Sequence, residues 1–415
     1  MTLIKTSLLN AIAVAIKMLT MLGINKILAV YVGPSGYAAL GQFQNAVQMI
    51  TTFGSGAINT GVTKYTAEYF HDEALQHKVW RTAGTIALVG SIFTGVFVVF
   101  LNKYLALLFL KDENYGSVFI WFGVTLVFFV LNALLMAILN GKKEVFHYVI
   151  INIIGSLFSL AISALMIVSF GLYGALLTLA INQSLTFFVT LSLCYRKKWF
   201  NFRYIIGRVD KFTAINLGKY TAMALVSAIT VPLSHIMVRN HLAAEFGWTV
   251  AGYWDAMWRL STAYLMFVTT TLGVYYLPRL SELKDSKAIK NEILQGYKII
   301  LPLAIIGGAS IYILRDFIVS ALFSKDFYPM RDLFAWQMLG DTLKIGSWIL
   351  AYLMLGKALV SIFITTEIIF GFGFFAWTWI FTSYFGMKSA VVAHAMNYFI
   401  YWIVIYLIFL KNKII

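Results

Sequence analysis

Long apolar stretches dominate this chain, divided by short polar breaks rich in glycine and proline. A helix that crosses the hydrocarbon core of a bilayer needs about 20 mostly apolar residues, and on that measure the pattern predicts about twelve spans. They cover residues 7–32, 37–65, 83–101, 117–139, 145–169, 171–194, 213–238, 249–277, 299–323, 332–356, 358–381 and 389–410. Three of the breaks are very short: VGPSG (32–36), GKKE (141–144) and FGLYG (170–174). Glycine and proline at such places end one helix and turn the chain back.

Polar residues interrupt these spans on particular faces. In FAWQMLGDTLKIGSWIL (334–350), Gln337, Asp341, Lys344 and Trp348 step by four, three and four, which places them on one helical face. Asp341 and Lys344 are close enough in sequence to pair. A charge at the bilayer centre costs about 2.5–3.5 kcal/mol on insertion scales, so this face should look at other helices or at water. The span 249–277 repeats the arrangement, with Asp255 and Arg259 four apart and Trp254, Trp258 and Thr262 close by. A stripe of small and polar residues that includes Asn45 and Gln48 marks the second span. Glu367 is the lone acid of its span, and His394, Asn397 and Tyr401 share one side of the last. Lys17 and Lys26 lie in the first span, and Lys219 opens the seventh. The charged pairs also read as neutralised pairs that only hold helices together. The small-residue stripe also reads as packing, and His394 as a hydrogen-bonded core residue.

Composition agrees with the spans. The 415 residues are 60% hydrophobic and 12% charged, with a mean hydropathy of +0.82, where soluble domains carry roughly 25% charged residues. The net charge of +15 would suggest nucleic acid in a soluble protein. Here the cations collect in alternate connections. One set holds Lys5, Lys78, Arg81, Lys142, Lys143, the stretch YRKKWFNFRYIIGRVDK (195–211), Arg279 to Lys290, Lys357, Lys411 and Lys413. The other set holds only Lys103, Lys111, Arg239, Lys325, Arg331 and Lys388. The positive-inside rule then puts both termini in the cytoplasm and leaves no role for nucleic acid. The single cysteine, Cys194, has no disulfide partner, and no Cys/His cluster has metal-ligand spacing. No cofactor is expected. The first residues resemble a signal peptide but lack a small-residue cleavage site, so they are read as a retained first helix.

The basic stretch divides the chain into residues 1–194, a linker 195–212 and residues 213–415, each half with six spans. The halves echo each other: IKTSLLNAIAVAIKML (4–19) is similar to GKYTAMALVSAITVPL (218–233), and GVTKYTAEYFHDE (61–73) to GVYYLPRLSELKD (273–285). Lys17 and Lys219 both fall within echoed segments. An even number of spans per half makes the repeats parallel, about an axis along the membrane normal. Polar faces on both halves predict a wet, net-positive cavity along that axis, suited to a large, polar, anionic cargo.

Five stretches together resemble the Wzx-type flippases of bacterial polysaccharide assembly: VGPSG (32–36), NTGVTKYTAEYFHD (59–72), LPRLSEL (277–283), MRDLFAWQ (330–337) and GDTLK (340–344). That group lies in the multidrug/oligosaccharidyl-lipid/polysaccharide exporter superfamily, and the resemblance is nearest the lipid III and O-antigen types. It covers essentially the whole chain. It implies an all-α polytopic membrane protein, with two six-helix lobes in a V around a central cavity. It also implies alternating access, residence in the bacterial inner membrane, and a cargo of one oligosaccharide unit on undecaprenyl diphosphate. The polymerase and chain-length proteins of the same pathway are candidate partners. Lys64 lies in the NTGVTKY match, and Asp341 and Lys344 in GDTLK. The lipid III type leads one to expect a base in ALGQFQNAVQM (39–49), where this chain has none, so the glycan is left open.

On this reading Lys17, Lys64, Lys219, Arg259 and Lys344 face the substrate as cations. Asn45, Gln48, Gln337, Trp258 and Trp348 offer sugar contacts. Asp255, Asp341, Glu367 and His394 are the candidates for ion or proton coupling. Two other classes compete. An ion-coupled multidrug exporter of the same fold calls for acid-dominated cavities. A polysaccharide polymerase or lipid-linked glycosyltransferase calls for a large outer loop or soluble domain, which the short connections leave no room for.

Overall fold

The structure, a computed structural model, describes residues 3–276, 279–280, 283, 285–357 and 359–412. The side chains of residues 3–11, 219–220, 271 and 274–275 also fall outside the description. The expectation for Lys219 therefore lies outside the described residues, as does most of the LPRLSEL stretch.

Among the described residues every regular element is helical. α1 spans Leu3–Tyr31, α2 Gly33–Ser55, α3 Asn59–Glu68, α4 Glu73–Phe100 and α5 Asn102–Leu110. α6 spans Gly116–Gly141, α7 Val145–Tyr195, α8 Phe202–Ile205, α9 Lys211–Phe246 and α10 Trp248–Thr271. α11 spans Ser286–Ile313, α12 Arg315–Leu322, α13 Phe334–Gly356, α14 Val360–Phe385 and α15 Ser389–Lys411. α7 is two helices end to end, because Gly171 adopts φ 56° and ψ −130°, a conformation only glycine takes readily. With α7 counted twice, and α3, α5, α8 and α12 set aside as short, about twelve helices reach membrane-crossing length. The protein is an all-α, multi-pass membrane protein.

Several predicted boundaries move. The span expected over 37–65 is broken, since α2 ends at Ser55 and Gly56 and Ala57 take positive φ before α3 begins. Two carbonyls of the last turn, on Thr52 and Phe53, are capped there by the Ala57 and Gly56 amides. The span expected over 83–101 begins earlier, at Glu73, where the Asp72 carboxylate accepts from the Leu75 amide at 3.0 Å. The span expected over 299–323 begins at Ser286, capped in the same way by Asp285, and stops at Ile313.

The chain folds as two compact units. The first comprises α1 and Ala39–Pro232; the second comprises Gly33–Ala38 and the chain from Leu233 onward. The division falls inside α9 at Pro232, which lacks an amide donor and disturbs the helical ladder.

In the first unit α6 lies between α4 and α7, and α1 packs on α7. Backbones touch where α4 meets α6: a Cβ on Gly95 would stand 2.5 Å from the Gly123 carbonyl oxygen. Such glycine contacts are how membrane helices gain van der Waals packing. Asn132 of α6 joins α7 through Gln183 at 2.9 Å and Thr190 at 2.7 Å. In the second unit α13 is flanked by α11 and α15, α14 packs on α15, and α10 packs on α13. Its apolar core includes Leu272, Tyr276, Ile349, Leu353, Ile405 and Phe409. Gly33–Ala38 is seated on α10, where Gly252 lets the Pro34 carbonyl approach: a Cβ there would lie 1.7 Å from that oxygen.

Candidate functional site

α10 carries one polar face, and three of its side chains organise the second unit. Asp255, Trp258 and Ser261 lie three apart, so they follow one another down the same side of the helix.

Asp255 is clamped between two arginines. Arg239 of α9 places Nη2 2.5 Å from Oδ1, and Arg259 places Nε 3.8 Å from Oδ2. Both members of the closer pair are buried, Arg239 at 2% and Asp255 at 3% exposure. Arg239 also lies over the Trp254 ring at 5.4 Å, and Arg259 over the Tyr37 ring at 5.6 Å. The sequence reading placed Arg239 in an outer loop. It lies instead about two turns inside α9, because that helix continues to Phe246. The expected Asp255–Arg259 pair is present, but it is the longer of two contacts.

Asp341 of α13 is fully buried and accepts three hydrogen bonds. Ser261 Oγ donates to Oδ2 at 2.6 Å, Gln337 Nε2 donates to Oδ1 at 3.1 Å, and His394 Nε2 lies 3.1 Å from Oδ1. Three helices thus converge on one carboxyl group. His394 can stand so close to α13 because residue 340 is glycine; a Cβ there would lie 2.3 Å from the imidazole.

The expected pairing of Asp341 with Lys344 does not form: among the described residues no ion pair joins them. The two do share a face. However, both oxygens of Asp341 are taken, and the long Lys344 stem carries its ammonium to a set of rings. Nζ lies 4.8 Å from the Trp258 centroid, 4.9 Å from Trp348 and 5.2 Å from Tyr398. Electron-rich ring faces offer a buried cation an attraction of about 0.5–2 kcal/mol each. Trp258 is common to both arrangements. His235 meets its ring at 4.4 Å and His394 at 5.2 Å.

The structure therefore gathers Asp255, Trp258, Arg259, Gln337, Asp341, Lys344, Trp348 and His394 into one buried network of the second unit. Glu367 of α14 is half-buried within electrostatic reach of Lys344 and Tyr398. The remaining candidates belong to the first unit. Lys17 is exposed on α1, Asn45 is buried on α2, and Gln48 is exposed on α2. Lys64 is exposed on α3, 3.8 Å from Glu68 and 4.9 Å from the Tyr65 centroid.

Sequence reasoning missed Arg239, Ser261, His235 and Tyr398. A signal existed for two: His235 and Arg239 interrupt the apolar run LSHIMVRNHL, the same kind of interruption that flagged His394 and Asp341. Ser261 and Tyr398 carry no comparable mark, since serine and tyrosine are common in membrane helices.

Comparison with known proteins places the chain in context. Residues 3–284 match a family model described as "Polysaccharide biosynthesis protein". Proteins called lipid III flippase from Escherichia coli (strain K12) and Shigella flexneri are each 30% identical over 368 residues, 89% of this chain and 88% of theirs. Among solved structures, an inward-facing multidrug resistance MATE family transporter of the MOP superfamily superposes with TM-score 0.78 at 14% identity. That match covers 96% of this chain and 94% of the other. A Vibrio cholerae MATE transporter gives TM-score 0.70 at 16% identity, covering 98% and 97%. At those identities the structural likeness shows the fold alone.

Proposed function

The chain belongs to the polysaccharide biosynthesis protein family, and from that premise we propose that it is a flippase for a lipid-linked oligosaccharide. The cargo on this reading is one oligosaccharide unit on undecaprenyl diphosphate. It moves from the cytoplasmic to the periplasmic leaflet of the inner membrane, both termini of the protein being cytoplasmic. The polymerase and chain-length proteins of the pathway would receive it. The single observation that carries the proposal is the 30% identity to proteins called lipid III flippase, spread over 89% of the chain.

The physical problem sets the mechanism. A sugar head drawn through hydrocarbon loses the hydrogen bonds of its hydroxyls, at several kcal/mol each in an apolar medium. The diphosphate adds charge. A wet cationic path, opening alternately to each side, would remove most of that barrier, with the lipid tail left in the bilayer. In this scheme Lys17, Lys64, Lys219 and Arg259 supply positive potential for the diphosphate. Asn45, Gln48, Gln337, Trp258 and Trp348 meet the sugars. Lys344 waits beneath its three rings as a further cation. Asp255, held between Arg239 and Arg259, keeps those cations in place. Asp341, with His394 and Ser261 in hydrogen-bond contact, is the better coupling candidate, and Glu367 is the second.

The test is complementation of a strain deleted for its own flippase, with mass spectrometry of its membranes. Expression of the wild-type chain should clear the undecaprenyl-diphosphate-linked oligosaccharide stranded in the deletion strain. Persistent accumulation with the protein correctly inserted would refute the proposal. The fold is shared with multidrug MATE transporters, and an ion-coupled drug exporter is the second reading. Raised drug tolerance in an exporter-deficient host, without any change in the stranded glycolipid, would select it.

A further inference from the structure

The segment between α7 and α9 is the most basic connection in the chain, and it is not a loose tether. Four hydrogen bonds fasten it to the first turns of α4. Arg81 Nε donates to the Arg203 carbonyl at 2.8 Å, and the Asp210 amide donates to Thr82 Oγ1 at 3.0 Å. Thr85 Oγ1 donates to the Gly207 carbonyl at 2.8 Å and accepts from the Gly207 amide at 3.1 Å. His77 stacks on Tyr204 with centroids 3.8 Å apart. Gly84 allows the closest approach: a Cβ there would lie 1.9 Å from the Ile205 carbonyl oxygen. The segment is a strap of defined shape.

Its outer surface has two kinds of side chain. Arg196, Lys198, Arg203, Arg208 and Lys211 are exposed, and among the described residues none of them has a carboxylate within ion-pair distance. Lys197 is the exception in this stretch, paired with Glu144 at 3.3 Å. Asp210 is engaged by Thr213, whose amide and hydroxyl donate to it at 2.8 and 2.6 Å. Between the cations Tyr195, Phe202, Ile206, Val209 and Phe212 are also exposed, Phe212 to 72%. α7 and α9 are of membrane-crossing length, so a strap joining their ends runs where helices leave the hydrocarbon. Basic clusters in that position attract anionic lipids, and arginine can grip a phosphate through two parallel hydrogen bonds.

We infer that the strap over residues 195–212 is a binding surface for the headgroups of anionic phospholipids, with its cations on the phosphates and its apolar side chains among the upper acyl carbons. A purely topological role would require cations in number only. Here the α4 latch holds them in one array, interleaved with apolar side chains and left without carboxylate partners. The inference does not depend on what the protein transports.

The experiment compares two triple variants in nanodiscs of phosphatidylcholine doped with phosphatidylglycerol, with retained lipid counted by native mass spectrometry. One is Lys198→Gln, Arg203→Gln, Arg208→Gln. It spares the latch, because Arg203 contributes only its carbonyl to it. The other is Lys103→Gln, Lys111→Gln, Lys325→Gln, which removes as many cations elsewhere. A cation held against a membrane surface contributes about a fivefold preference, and in the strap three such cations act together in one array. The strap variant should therefore lose at least tenfold in phosphatidylglycerol retention while the control keeps the wild-type level. Equal loss in both variants, or no loss in either, would overturn the inference. So would displacement of phosphatidylglycerol by an equimolar polyprenyl diphosphate, which would make the strap a cargo site instead.

Discussion

The Arg239–Asp255 pair offers the sharpest test of how the second unit is held together. In the pair the side chains are 3% and 5% exposed and in direct contact. Breaking such a buried pair by removing one partner typically costs about 3–5 kcal/mol. The two single variants should differ. Asp255→Asn takes one carboxylate from two arginines at once and should fall at the upper end. Arg239→Gln leaves Asp255 with Arg259 at 3.8 Å, so its loss should lie nearer 3 kcal/mol. Neutral replacement of both members of a buried pair is often close to neutral. The double variant should therefore recover most of the stability, its loss falling several kcal/mol short of the sum of the two single losses. Arg259→Gln removes a longer contact from a side chain 18% exposed, and should cost about 1 kcal/mol or less. Unfolding in mixed micelles titrated with SDS, followed by circular dichroism, supplies the free energies. Additive losses in the double variant would refute the claim that these two residues neutralise each other. A double variant that regains stability but does not complement would show that Asp255 does more than hold the arginines.

Three further outcomes are expected. Lys344→Met keeps the length and packing of the side chain under its three rings but removes the charge; the protein should insert normally and complement at least tenfold less well, and full complementation would remove Lys344 from the substrate path. Gly340→Ala introduces a methyl 2.3 Å from the imidazole, which should push His394 off Asp341 and lower transport at least fivefold at unchanged expression, whereas wild-type activity would make that contact dispensable. Ser261→Ala deletes a hydrogen bond of 2.6 Å to a buried carboxyl group, and SDS unfolding should record a loss of about 1.5–3 kcal/mol; Ser261→Thr, which keeps the hydroxyl, should lose less than half of that.

Much of the fold was readable from hydropathy. A bilayer admits few backbone solutions, because every amide must be paired within the segment, so a run of twenty apolar residues has one interpretation. The places where the reading slipped are local. Gly56 and Ala57 end α2 in mid-span through positive φ, and an apolar pattern carries no record of dihedral angle. Asp72 and Asp285 start helices earlier than hydropathy allows, because capped polar turns extend beyond the hydrocarbon. The candidate site was half readable. Asp255, Asp341, Lys344 and His394 stood out because charge in a greasy span is expensive. Arg239 was assigned to a loop because the apolar run was taken to stop just before it.

By itself the sequence determined that this is a polytopic helical membrane protein, how many helices cross, and which of them present a polar face. Those properties follow from the 3.6-residue period and from the cost of placing polar groups in lipid, and both act within a single helix. Only the tertiary structure decided who partners whom. Asp341 took Ser261 and His394 rather than Lys344, and Asp255 took Arg239 more closely than Arg259. A buried charge is satisfied by whichever group packing brings within about 3 Å. In a bundle that group usually comes from another helix, many residues away along the chain.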